Sequence, residues 1–265
     1  MSLAPVAERD VTFEGAQRSA SHVRYRGISD DVARLLYTSA QRAPKDQAIL
    51  EIGSFVGYST IFLGFGSRAG CGAVVHCLDA WGLPPSSTYS KEAYEEKCGI
   101  RHETFDEFLQ NVQRAGVTDL VVPHRAYSTR YSRLWPVDLK IGLLFIDGDH
   151  SEWGAYADWF LYRPYLADGA RVVFHDFGDP AVTRAVRRID AHLIGDGRIV
   201  GTGYQGREAL AFSYRRDDRP DWRGSMHYAA LSAWNAFEWT LLFKALRALK
   251  RAARRVLLRD AHHSQ

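Results

Sequence analysis

The sequence predicts an α/β fold: a mostly parallel sheet with an antiparallel edge pair, followed by a C-terminal amphipathic helix. Short apolar runs alternate with segments of helical spacing along most of the chain, as strand–helix repeats do. The first run, Ile49-Leu50-Glu51-Ile52, passes into Gly53 and Gly57 and a Ser59-Thr60 pair that opens a helix. Two late runs, Arg198-Ile199-Val200 and Ala209 to Tyr214, read as the closing antiparallel pair.

Each element follows from its residues. Residues 1–29 have no clear period and are read as an N-terminal arm over a ligand or a neighbouring subunit. Asp30 to Arg42 sets Val32, Leu35, Leu36 and Ala40 near one helical face, and Pro44 stops it. After the first strand and its glycine turn, Ile61, Phe62 and Leu63 carry a helix to the Gly70/Gly72 break. Ala73 to Leu78 is the second strand and delivers Asp79. Over residues 81–104 the pattern dissolves. That is too long for a plain connection and reads as a lid carrying Trp81, Tyr89 and Tyr94. Phe105, Phe108, Leu109 and Val112 restore helical spacing, ending at Gly116. Leu120-Val121-Val122 is the third strand, with Ser128 just beyond it. Ile141 to Ile146 is the fourth and ends in Asp147-Gly148-Asp149-His150, ahead of a helix with Trp153, Tyr156, Ala157 and Phe160. Ala170 to Phe174 is the fifth and ends in His175-Asp176. The main domain is set at 30–220 and a basic helical extension at 221–265.

Composition narrows the function. At 265 residues and 46% apolar content the chain suits one domain with terminal additions. Cys71, Cys77 and Cys98 form no metal or disulfide spacing and predict a reducing cytoplasm. Neither a signal peptide nor a membrane span is expected. The net charge of +3 hides an asymmetry, because Lys244 to Arg259 holds seven bases and no acid. The remainder is mildly acidic, which argues against nucleic acid as substrate.

The turn after the first strand carries the first chemistry. A dinucleotide site wants G-x-G-x-x-G, and a phosphate-cradling loop wants a lysine. This chain has G-x-x-x-G behind an acid, a turn that repels phosphate and suits a cation. S-adenosylmethionine fits: its amino and sulfonium groups are positive and it carries no phosphate. Asp79, at the next strand end, would accept hydrogen bonds from the ribose hydroxyls. The expected cofactor contacts are Glu51, Gly53, Ser54, Gly57, Ser59, Asp79, Ser128 and Asp147.

The second chemistry sits at the fourth and fifth strand ends, where ligands gather in open parallel sheets. Aspartates from two adjacent strands suit Mg²⁺ or another hard dication. Such an ion would grip a diol and lower the pKa of the reacting hydroxyl. The expected ligands are Asp147 and Asp176, with His175 as a further candidate that could also orient a ligand or fill space. His150 is the candidate general base, since imidazole titrates near neutrality. Asp149 could cap the following helix.

These residues carry a resemblance. Glu51-Ile52-Gly53 with Gly57 and Ser59, Asp79-Ala80-Trp81-Gly82, Phe145 to Ser151 and Phe174-His175-Asp176 resemble the class I methyltransferases of the macrocin, mycinamicin and novobiocin sugar O-methyltransferase type. The mycobacterial polysaccharide methyltransferases lie in the same broad group. The resemblance spans roughly Asp30 to Tyr214. It implies a Rossmann-like methyltransferase fold and metal-dependent methyl transfer to a sugar hydroxyl. It also implies metal binding at Asp147 and Asp176 and a base at His150 or Asp149. Some members carry two adjacent acids after the fifth strand, where this chain has His175 first.

A phenolic acceptor, a catechol or polyketide type, is the nearest alternative. A cofactor-binding adaptor working through the basic helix is the alternative of another class. From Trp234 to Arg259 the apolar residues fall near one helical face with the bases opposite. That predicts a helix buried in a homodimer, with contact to an anionic membrane surface as the second use.

Overall fold

The computed structural model describes residues 10–82, 104–189, 197–202, 206–216 and 220–238. The chain divides after Pro220 into two units.

The first unit opens with two helices, α1 (Phe13–Ala20) and α2 (Asp30–Gln41), capped by the side chains of Thr12 and Ser29. Strand and helix then alternate through β1 (Ala48–Ile52), α3 (Tyr58–Ala69), β2 (Val75–Asp79), α4 (Phe105–Ala115) and β3 (Val121–Arg125). The short α5 (Ser128–Tyr131) leads to β4 (Ile141–Ile146), α6 (Glu152–Tyr162) and β5 (Leu166–Phe174). Helix α7 (Pro180–Arg187), β6 (Arg198–Val200) and β7 (Ala209–Ser213) complete the unit.

The seven strands lie in the order β3-β2-β1-β4-β5-β7-β6. The first five are parallel, and β7 runs against both β5 and β6. The predicted mostly parallel sheet with an antiparallel edge pair is therefore the observed one. The chain winds outward from β1 to β3, then returns to the far side of β1 at β4, so the switch point lies between β1 and β4. A crevice at that point, outside the carboxyl ends, is where such sheets bind ligands. The central strands are apolar on both faces: every residue of β1 is buried, and Leu143, Leu144 and Phe145 of β4 have no exposed surface. Burial on both faces is what helices on either side of a parallel sheet require.

Three local findings differ from expectation. The N-terminal segment contains α1, whose Phe13 is buried against Tyr37 and Phe62 with ring centroids 5.7 and 5.6 Å away. It belongs to the domain's own core, and its short length hid the period. Strand β5 starts at Leu166, four residues before the apolar run, because a 3-10 turn over Arg163–Tyr165 feeds straight into it. In the lid, Trp81 is 2% exposed, packs on Phe105 and Phe108 and donates from Nε1 to the Phe55 carbonyl at 2.7 Å. It is a core residue at the site's edge. Tyr89 and Tyr94 lie outside the described residues.

The second unit is described over α8 (Trp222–Glu238). The helix starts twelve residues before the apolar stripe suggested, because Asp221 caps it, accepting from the Gly224 N–H at 2.7 Å. The rest of the expected helix, to Arg259, lies outside the described residues, as do the dimer and membrane expectations that depend on it. Among the described residues no helix is long and apolar enough to cross a membrane.

Candidate active site

The β1–α3 turn is held from below and from the side. Glu51, fully buried, accepts from the Ser59 and Thr60 hydroxyls at 2.5 Å each. Burial drives its carboxyl upward, and those hydroxyls with Ser54 oppose the rise. Glu51 and Ser59, both expected as cofactor contacts, bond to each other and so fasten β1 to the first turn of α3. Gly53 and Gly57 have φ of 92° and 86°, in the region that favours glycine. A Cβ on Gly53 would overlap the carbonyl of Asp147. The glycine therefore lets the ends of β1 and β4 meet, as well as keeping the turn low.

Asp79 organises the neighbouring loops. Its Oδ2 accepts from the Phe55 N–H at 2.9 Å and its Oδ1 from the Trp81 N–H at 2.8 Å. Among the described residues the non-glycine positions with positive φ are Phe55 (45°), Trp81 (30°) and Asp176 (48°). All three sit just beyond strand ends, where strained backbone of about 1–3 kcal/mol marks functional turns. Ser128 opens α5. Its carbonyl accepts from the Tyr162 hydroxyl at 3.0 Å, and its own hydroxyl serves Asp158.

The β4 and β5 ends bring four expected residues together. Backbone bonds set the stagger, from the Asp147 N–H to the Ile52 carbonyl at 2.8 Å and from the His175 N–H to the Ile146 carbonyl at 3.0 Å. Asp147 Oδ1 then lies 2.9 Å from His175 Nδ1 and 3.6 Å from His150 Nε2. Asp176 Oδ2 lies 3.4 Å from His175 Nδ1 and 3.2 Å from His150 Nε2. Two carboxylate oxygens and two imidazole nitrogens thus alternate around a small ring. His175 is buried, while His150 is 40% exposed. Burial alone would raise the Asp147 carboxyl, but His175 and then His150 bring it down to about 2. Burial works against charge on both imidazoles, yet the aspartates raise His150 and raise His175 well above the ordinary histidine value.

Asp149 does not cap α6. Ser151 does, accepting from the Gly154 N–H at 2.9 Å, while Asp149 Oδ1 accepts from the Ser151 N–H at 2.8 Å. Two acids escaped the sequence reading. Glu208, just before β7, has Oε1 3.5 Å from His175 Nε2 and accepts from the Ser29 N–H at 2.6 Å. Asp158, on α6, is 2% exposed beneath Gly148. Its signal was an acid inside the apolar run Tyr156-Ala157-Asp158-Trp159-Phe160; Glu208 had none.

The donor set fits a cation. One ligand atom each from Asp147, His175 and Asp176 lie within 4.8 Å of one another, a separation that one ion can span with bonds of about 2.1–2.6 Å.

Residues 50–177, from β1 to just past β5, match the family model of the methyltransferase domain. The fold and this match define a class by likeness: the stretch from β1 to β5 is similar to the methyltransferase domain, and the sheet around it has the fold of O-methyltransferases of solved structure. Similar solved structures include the O-methyltransferase NovP, at 16% identity and TM-score 0.58, covering 73% of this chain and 88% of that one. An O-methyltransferase from Bacillus cereus in complex with SAH has 20% identity, TM-score 0.52 and coverage of 80% and 94%. TomG from Streptomyces achromogenes, in complex with SAM, has 17% identity, TM-score 0.50 and coverage of 79% and 91%.

Proposed function

We propose that the protein is an O-methyltransferase that moves a methyl group from S-adenosylmethionine to a saccharide hydroxyl, with a divalent ion at the ends of β4 and β5. One observation carries the reading: Asp147, His150, His175 and Asp176 converge within hydrogen-bonding range beside the Gly53 turn. A binding-only adaptor has no need of that convergence. The SAH and SAM held by two similar structures support the cofactor, and the sugar acceptor rests on the strand-end motifs.

S-adenosylmethionine supplies an electrophilic methyl on a sulfonium. A divalent ion supplies a Lewis acid that makes the acceptor hydroxyl more acidic. The chain does the rest. Asp79, a carboxylate at the end of β2, accepts from the ribose hydroxyls. Asp147, Asp176 and His175 would hold the ion. His150, the exposed imidazole of the ring, faces incoming acceptor and takes the proton from its hydroxyl; Asp149 is the alternate base.

The test is incubation of the full chain with labelled S-adenosylmethionine, a divalent ion and a panel of free sugars, glycosides and catechols. Label should pass to a saccharide. Transfer to catechols alone selects the phenol reading, and no transfer with intact cofactor binding selects the adaptor.

A further inference from the structure

The His175 side chain is 6% exposed, and each of its ring nitrogens faces a carboxylate. On one side Nδ1 meets Asp147 Oδ1 at 2.9 Å and Asp176 Oδ2 at 3.4 Å; on the other Nε2 meets Glu208 Oε1 at 3.5 Å. Glu208 is itself pinned. It is nearly buried, its Oε1 accepts from the Ser29 N–H at 2.6 Å, and its Oε2 lies where any side chain at Gly201 would stand. The bond between Glu208 and Ser29 spans 179 positions of sequence and ties the N-terminus of α2 to the start of β7. An ionised carboxylate only accepts, so Glu208 calls for a proton on Nε2. Asp147 and Asp176 call for a proton on Nδ1 in the same way, and a cation between them would take that proton's place, while Glu208 keeps the one on Nε2 and leaves the Nδ1 lone pair to the ion. The carboxylate–imidazole–ion relay is the arrangement by which outer groups fix a ligand's tautomer and raise its basicity. The separations agree, since adjacent ligands around an octahedral ion with bonds of ~2.1 Å stand ~3 Å apart.

We infer that Glu208 is a positioning residue of the metal centre, presenting His175 as a nitrogen ligand and making the site selective for a transition dication such as Mn²⁺ over Mg²⁺ and Ca²⁺. The inference rests on the metal reading above. Its chemical basis is the donor set: Mg²⁺ and Ca²⁺ favour oxygen throughout, whereas first-row transition dications accept an imidazole nitrogen, Mn²⁺ the least strongly of the series and so the strictest probe of the preference. The expectation of Mg²⁺ came from counting aspartates alone.

The experiment is a Mn²⁺ titration of the full chain followed by electron paramagnetic resonance, with Mg²⁺ and Ca²⁺ as competitors. Pulsed measurement of ¹⁴N coupling reports a directly bound imidazole. Wild type should bind Mn²⁺ with ¹⁴N coupling and resist competition. The coupling should survive H150Q and vanish in H175Q. E208A should lose about 10–100-fold in Mn²⁺ affinity, with less change for Ca²⁺, so the preference narrows. E208Q, whose amide oxygen still accepts from Nε2, should keep most of it. Circular dichroism checks folding, and the wild-type coupling needs no variant. Bound Mn²⁺ without ¹⁴N coupling, or a folded E208A with unchanged Mn²⁺ affinity, overturns the inference and leaves the metal reading standing. No saturable binding of any of the three ions overturns both.

Discussion

The two walls of the crevice treat their acids in opposite ways. On the β1–β2 wall the acids are matched by neutral donors of the same chain: Glu51 by two hydroxyls, Asp79 by two backbone N–H groups. On the β4–β5 wall, acids and imidazoles face one another across 2.9–3.6 Å, with the outer imidazole open to solvent. The first wall is a rigid frame, its two strained residues Phe55 and Trp81 held by Asp79. The second is charged, its acids paired with imidazoles. A preorganised frame suits a cofactor that must be aimed, and a charged cluster suits the group that reacts.

Breaking the charged wall should have the largest effect. Enzyme stripped with EDTA should lose turnover and regain more with Mn²⁺ than with Mg²⁺ or Ca²⁺, whereas D147A should regain none with any ion. Full turnover by stripped enzyme, measured as label transfer, would remove the metal from the reading.

Next comes the base. A positioned base typically contributes about 10²–10⁴-fold, so H150A should lower turnover by that order at saturating cofactor. If Asp149 takes the proton instead, D149N is the crippled variant and H150Q remains active. Comparing the variants at saturating acceptor separates the roles, and normal turnover in both would dismiss the site.

Breaking the frame should act on binding more than on chemistry. Each hydrogen bond to a charged acceptor contributes about 1.5–3 kcal/mol. D79A should therefore weaken binding of S-adenosylmethionine or its demethylated product at least about tenfold, and it should also lower stability by releasing the Phe55 and Trp81 N–H groups. Calorimetry with unchanged affinity would falsify the ribose assignment.

The same contrast sets what was legible in sequence. Both walls are anchored at ends of parallel strands, and an apolar run ending in a glycine or an acid announces itself. Gly53, Asp79, Asp147 and Asp176 therefore stand at the strand ends where the apolar runs put them. What lay between elements was not visible. Glu208 reaches His175 because β7 returns antiparallel beside β5 with Phe174 opposite Leu210. That register depends on tertiary pairing, so nothing near residue 208 points to residue 175. Ser29 shows the same limit: its side chain caps α2, as its type suggests, but its N–H serves Glu208. Trp81 read as a lid aromatic because a Trp after a strand end looks exposed until Phe105 and Phe108 fold over it.

The smallest effect expected is on stability, at the buried acid beneath Gly148. Burial raises the Asp158 carboxyl, the Ser128 hydroxyl opposes it, and the negative charge of Asp149 adds to it, bringing it to about 7. The folded state thus keeps a proton that the unfolded chain, with an ordinary value of 3.8, gives up. The proton's contribution is fully present below pH ~4 and is lost as pH rises through ~7. The gap between the two values corresponds to a cost on the order of 4 kcal/mol for the ionised form. D158N cannot ionise and keeps the contact to Ser128. It should melt with wild type near pH 4 and at a clearly higher temperature near pH 8, the difference growing across the interval. If the two melting curves differ by the same amount at every pH, burial does not hold a proton on Asp158 in the folded state.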